Sequence, residues 1–365
     1  MNYLREYDST NFVTGLRAVA ILLVFLIHSG GGGLREMEGL WNLFVDWAKN
    51  GVAMFFVISG YTIFFQLYER DYSLKYFLAQ RVGRIVIPYW PLLLVLLVSG
   101  VFGIQIGANP WGNGAIGAEI SLVNWILHAS FLTFWSADYS NTIIGVEWTL
   151  GIEFFYYTLL GLLFGFFRYK SLKYVILIIF SLILLELADF GRYLIEANKV
   201  KNYLDIHWSP LMYGYMFMLG GSGYFIRKSL ISSIDTIRLI VLSDIVFLVV
   251  LLLFFLNLNM QYQSNLQWFF SLVTFFLVVF TQDNSVFGRF LTSKLFIFIG
   301  SISFSMYLWH FLIINTPFLI IPGLSQFKSF WYYLLMTIVV SSIWYYYFEV
   351  KIYKEFKVRV FKKYG

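Results

Sequence analysis

The run Thr14-Gly15-Leu16-Arg17-Ala18-Val19-Ala20-Ile21-Leu22-Leu23-Val24-Phe25-Leu26-Ile27-His28-Ser29 decides how this chain is read. Ten consecutive apolar residues separate a cation from a histidine. Together with Phe12 and Val13 ahead of it, the stretch reaches the length that crosses ~30 Å of hydrocarbon at ~1.5 Å per residue. Similar stretches recur along the chain, which is 59% hydrophobic and 13% charged with a mean hydropathy of +0.73. A soluble domain carries about 25% charged residues, so the composition points to lipid.

Apolar runs and their polar breaks predict helices near 12–29, 47–66, 82–104, 145–167, 172–190, 208–226, 237–256, 265–281, 294–316 and 329–350. The expected fold class is an all-α integral membrane protein, a polytopic bundle of about ten transmembrane helices over residues 1–350 with a basic cytoplasmic tail at 351–365. The apolar segment Val123 to Trp135 is short and reads as re-entrant or interfacial. Assigned to alternating sides of these spans, 20 of the 26 basic residues fall on one side. The positive-inside rule then places both termini in the cytoplasm of a multi-pass inner-membrane protein, and the loop at 105–144 opposite. No A-x-A cleavage site follows the first apolar run, which reads as a retained helix.

The net charge of +6 reflects basic loops between apolar runs, so nucleic acid is not an expected partner. Cysteine is absent, which excludes a disulfide framework, a thiolate metal site and a cysteine nucleophile. The four histidines form no close pair, and no metal site is expected. Walker, G-x-S-x-G and dinucleotide motifs are also missing.

Ionisable groups inside apolar runs cost at least ~2.5–3.5 kcal/mol each, which makes them candidates for function. Eleven steps of ~100° bring Arg17 and His28 to one face of a helix, ~16 Å apart along it. Histidine is the usual general base near neutral pH. The alternative is that Arg17 snorkels to headgroups and His28 ends the span. In Gly51 to Tyr61, Ser59 and Gly60 permit close approach of a backbone or a ligand. Arg81 and Arg84, at i and i+3, present neighbouring guanidinium forks suited to phosphate oxygens or to lipid headgroups. Glu153 is expected to lie deeper than Glu147 among aromatics, needing a cationic partner or a wet cavity. Ser303, Tyr307 and His310 form a polar stripe at spacings of four and three. His128 and His207 stand near loop edges and read as solvated or interfacial.

Taken together, these segments resemble the membrane acyltransferase-3 family, which includes O-antigen and nodulation-factor acetyltransferases. The resemblance runs from Arg17 to Glu349. It is carried by Arg17 and His28; by Gly51 to Tyr61; by Arg81 to Tyr89; by Trp148, Thr149 and Glu153; and by Tyr307, Leu308 and His310. The last helix departs from the family's E-K-P ending, since Val350 and Lys351 follow Glu349, and Glu349 is assigned no role. The chain resembles the stand-alone form without an esterase-like domain.

The resemblance implies an O-acyltransferase using cytoplasmic acyl-CoA, usually acetyl-CoA, as co-substrate, with no permanently bound cofactor. The acceptor would be a hydroxyl of a surface polysaccharide or lipid-linked saccharide such as O-antigen. His28 would deprotonate that hydroxyl or accept the acyl group, with Glu153 fixing its tautomer. Arg17, Arg81 and Arg84 would hold the phosphates of coenzyme A, and Ser59, Tyr61, Trp148, Tyr307 and His310 would line the substrate path. The reading from another class is an exporter or flippase of a polysaccharide or lipid-linked sugar. Oligomeric state is not legible.

Overall fold

The computed structural model describes residues 11–37, 40–69, 73–104, 106, 121–135, 139–168, 180–188, 190–191, 209–257, 267–316 and 319–364. Among them the chain is all-helical. The principal helices are α1 (Asn11–His28), α2 (Leu40–Ala48), α3 (Gly51–Glu69), α4 (Leu74–Val101), α5 (Leu122–Ala129), α6 (Trp148–Arg168), α7 (Gly214–Ser233) and α8 (Thr236–Asn257). They continue with α9 (Gln267–Phe280), α10 (Val286–Leu291), α11 (Lys294–Ser301), α12 (Ser303–Ile314), α13 (Gln326–Trp344), a π-helical segment at Tyr345–Ile352, and α14 (Tyr353–Tyr364).

Five helical stretches are long and apolar enough to cross a membrane: Asn11–His28, Phe44–Glu69, Leu74–Val101, Thr236–Leu253 and Gln326–Lys363. The bent pair α11 and α12 makes a sixth if counted as one span, and Trp148–Leu163 and Gln267–Phe280 are shorter apolar helices. Of the expected span at 172–190, residues 180–188 are helical and 172–179 lie outside the described residues, as does His207. The expected span at 294–316 is bent by 69° at Ile302, between α11 and α12. The segment following Leu122 is an eight-residue helix, too short to cross. Residues 353–364, read from sequence as a tail, continue the last helix as α14.

The chain divides into two compact units, each described here by itself. The first comprises Met1–Phe65, Tyr174–Ile179 and Met216–Ser303. Its helices meet through glycines. A Cβ on Gly300 would strike the Thr14 carbonyl, and one on Gly15 the Leu291 backbone, so α1 lies directly on α10 and α11. Gly60 similarly abuts Phe217, and Gly220 abuts Val57, bringing α3 and α7 into backbone contact. Without a hydrophobic driving force between helices in lipid, such close packing is a main source of association. Arg227 of α7 donates to the carbonyls of Val278, Val279 and Thr281 at 3.3, 3.1 and 2.7 Å, satisfying acceptors at the end of α9. Its guanidinium also lies 4.3 Å from the Phe12 ring centroid.

The second unit comprises Gln66–Lys173, Phe180–Tyr215 and Phe304–Gly365. The hydroxyl of Ser73 caps α4 by accepting from the Tyr76 amide at 3.2 Å. α4 packs on α6, where Gly161 admits Leu78 and Phe77, and carries α14, where Gly83 admits the Phe356 ring. Tyr353 donates to the Gln80 carbonyl at 3.0 Å, and Trp344 to that of Pro88 at 3.0 Å.

Candidate active site

In the first unit, α1 is unbroken from Asn11 to His28, so Arg17 and His28 share a helix face as the spacing predicts. Both are half-buried. Gly30 to Gly33 follow with φ of 74, 84, 61 and 83°, a left-handed run that glycine adopts without steric cost and that ends the helix beside His28. Ser59 and Tyr61 are buried on α3. The Tyr61 ring stacks on Phe65 and meets Phe12 and Tyr224 edge-on, at centroid distances of 6.1–6.3 Å.

The second unit brings Arg81, Arg84 and Glu153 together. Arg81 is 3% exposed, its guanidinium 5.0 Å from the Tyr157 ring and 5.6 Å from that of Phe77. A planar guanidinium between two aromatic faces is held by cation–π attraction, which strengthens where water is excluded. Arg84 is half-buried. Glu153 acts electrostatically on both arginines, and Glu349 acts on Arg84. Tyr157 donates to Glu153 Oε1 at 3.0 Å, and Ser305 donates to Glu349 Oε1. Glu349 lies on the π-helical segment, a geometry that re-aims side chains relative to an α-helix. The sequence therefore missed Glu349 as a member of this charged cluster, though its place in an apolar last helix was a signal.

A second group gathers around the start of α6. Glu147, 2% exposed, accepts the amides of Ile143 and Ile144 on Oε1 at 2.8 and 3.0 Å, and that of Gly145 on Oε2 at 2.6 Å. His128, 1% exposed, stands with Nε2 2.8 Å from the same carboxylate. His128 is therefore no solvated histidine, and Glu147, just ahead of α6, is more buried than Glu153 within it. The burial of His128 was misjudged because linear distance from a loop does not show what covers a side chain. Gly145 has φ +98°, and any Cβ there would collide with the Phe311 ring.

Tyr307 of α12 donates to the Val146 carbonyl at 2.6 Å and receives the Thr149 hydroxyl at 2.8 Å. Its phenol oxygen is thereby oriented by α6. His310, fully buried, has Nδ1 at 2.9 Å from the Tyr307 carbonyl and 3.1 Å from that of Met306. Carbonyls only accept, so Nδ1 of His310 carries a proton. Trp148 packs against Tyr213 at a centroid distance of 5.2 Å.

Long apolar helices with arginines, carboxylates and histidines set among them define a helical membrane protein with internal polar sites. The family model described as an acyltransferase domain matches residues 10–349, and the chain belongs to this acyltransferase-3 family. It is similar to the O-acetyltransferase OatA of Staphylococcus aureus strains NCTC 8325 and COL, at 26% identity over 364 residues. The matched region is 93% of this chain and 57% of each relative, so the chain spans little more than half their length. No solved structure matches it.

Proposed function

We propose that this chain is a membrane O-acyltransferase that moves an acyl group, taken to be acetyl, from acyl-CoA to a hydroxyl of a surface polysaccharide or lipid-linked saccharide such as O-antigen. Membership of the acyltransferase family over residues 10–349 is the observation that carries the reading. In the reaction the acceptor oxygen attacks the thioester carbonyl; the new C–O bond forms as the C–S bond breaks, and coenzyme A leaves as its thiol. His28 takes the hydroxyl proton, or first carries the acyl group itself. By resemblance to the family's motifs, Glu153 would fix the tautomer of the base. Arg84, with Arg17 and Arg81, holds the donor's phosphates, for which planar guanidinium forks are suited. Ser59, Tyr61, Trp148, Tyr307 and His310 line the acceptor's path.

The working topology is ten spans in the inner membrane with both termini cytoplasmic, supported by the distribution of basic residues. Reporter fusions after Gly365 and near Asn113 are expected to give opposite signals; like signals would reject it.

The reading is tested with the purified chain in lipid vesicles, labelled acetyl-CoA and a glycan acceptor. Label on the glycan with release of free thiol is expected, and mass spectrometry of surface glycan with and without the protein should show the ester. Glycan that crosses the vesicle unmodified, with the thioester intact, would replace this reading with that of an exporter.

A further inference from the structure

The turn over residues 143–147 is anchored by a charged pair that lies outside every motif singled out in the sequence. We infer that His128 and Glu147 form a buried imidazolium–carboxylate pair that positions the Tyr307 and His310 face for acyl transfer. This inference rests on the acyltransferase reading above.

Hydrogen-bond accounting sets the charge state. His128 Nδ1 lies 2.9 Å from the Asn124 carbonyl and Nε2 lies 2.8 Å from Glu147 Oε1. The carbonyl only accepts. The carboxylate already takes three backbone amides, two of them on the same Oε1, so it too is an acceptor there. A neutral ring would aim a lone pair at one of these two oxygens; only the doubly protonated ring satisfies both. Each charge is almost wholly buried, so each depends on the other.

The pair works through backbone. Asn124 is fixed in turn, since Thr142 donates to its Oδ1 at 3.0 Å, and Trp90 of α4 donates to the Ala129 carbonyl at 3.1 Å. Glu147 gathers three successive amides and so shapes the turn that seats Gly145 under Phe311 and aims the Val146 carbonyl at Tyr307. His310 lies one helical turn beyond Tyr307, its Nδ1 proton held by the Tyr307 carbonyl. Glu147 also acts on Tyr89 of α4 and Tyr307 of α12. A misplacement of about 1 Å costs a reaction on the order of 10²-fold, so a positioning role of this kind is kinetically visible.

The first test is spectroscopic and needs no activity. In solid-state nitrogen NMR of histidine-labelled protein in lipid, one ring is expected to carry a proton on each nitrogen, as its two acceptor partners require. That signal should vanish in His128→Gln. Absence of any doubly protonated ring in the wild type, or its survival in His128→Gln, overturns the inference. The second test is kinetic. Glu147→Gln keeps the side chain's outline but strands the cation, and is expected to lower kcat on the order of 10²-fold while leaving KM for acetyl-CoA unchanged. His128→Gln/Glu147→Gln should lose no more than the worse single variant, because two neutral amides can pair. Additive losses, or a change confined to KM, would overturn the positioning role. A wild-type protein that transfers no acyl group from acetyl-CoA would defeat the proposed function, while the NMR measurement still judges the pair.

Discussion

The phenol of Tyr307 donates to the Val146 carbonyl at 2.6 Å, joining residues 161 positions apart in the chain. It also accepts from Thr149, so one side chain fastens the polar face of α12 to the start of α6. Tyr307→Phe removes the donor and leaves Val146 and Thr149 to find other partners inside the unit. The expected loss is about 1–3 kcal/mol of stability, the cost of an unmatched buried polar group. Thermal denaturation in detergent measures it, with Tyr346→Phe as a control, since Tyr346 is 59% exposed. Equal melting temperatures for the two variants would show that the Tyr307 hydroxyl holds nothing.

Arg81 and Arg84 should separate into different phenotypes despite their spacing of three. Arg81 is buried between Phe77 and Tyr157, whereas Arg84 is half-buried. Arg84→Ala is expected to raise KM for acetyl-CoA about tenfold with little change in melting temperature, as for loss of a charged hydrogen bond worth roughly 1.5–3 kcal/mol. Arg81→Ala should in addition lower the melting temperature, and Arg81→Lys should restore little, because an ammonium loses the planar fork and its contact with both rings. Unchanged KM in the Arg81→Ala/Arg84→Ala double variant would remove both from donor binding.

His28 is expected to be the base. It closes α1 on the face that carries Arg17, and a general base contributes ~10²–10⁴-fold to rate. His28→Ala should lose nearly all transfer while the protein still inserts and binds coenzyme A. Glutamine hydrogen-bonds without taking a proton at neutral pH, so His28→Gln is the sharper variant. Transfer near the wild-type rate in His28→Gln would hand the role to His310.

Stability should depend on pH through Asp283, in the loop after α9. Burial pushes its carboxyl above the ordinary value of 3.8, against the opposing pull of Arg227 and the Phe12 amide. Because the folded state holds the proton more tightly than the unfolded one, this stabilisation is complete below the ordinary value and is lost as pH rises through the folded one. Melting temperature should therefore fall with rising pH across that window, and Asp283→Asn should flatten the slope. Parallel slopes for the two proteins would exclude Asp283 as the source.

The helical class and the five long apolar helices, out of about ten expected spans, were legible in the sequence, because a run of apolar residues long enough to cross hydrocarbon carries its own evidence. So was the common face of Arg17 and His28, which needs only the pitch of a continuous helix. Boundaries were less secure: α4 begins at Leu74 rather than near 82, its first turns packed against α14. The pairing of polar groups was not legible at all. His128 and Glu147 stand 19 positions apart, Ser305 and Glu349 stand 44 apart, and no local periodicity relates them. A buried charge is tolerated only where a partner meets it, and the meeting is made where Gly83 and Gly161 let helices approach and where Gly145 seats its turn under Phe311. Periodicity along a chain determines which residues enter the membrane; contact between distant segments decides which of them are paired, and therefore which can do chemistry.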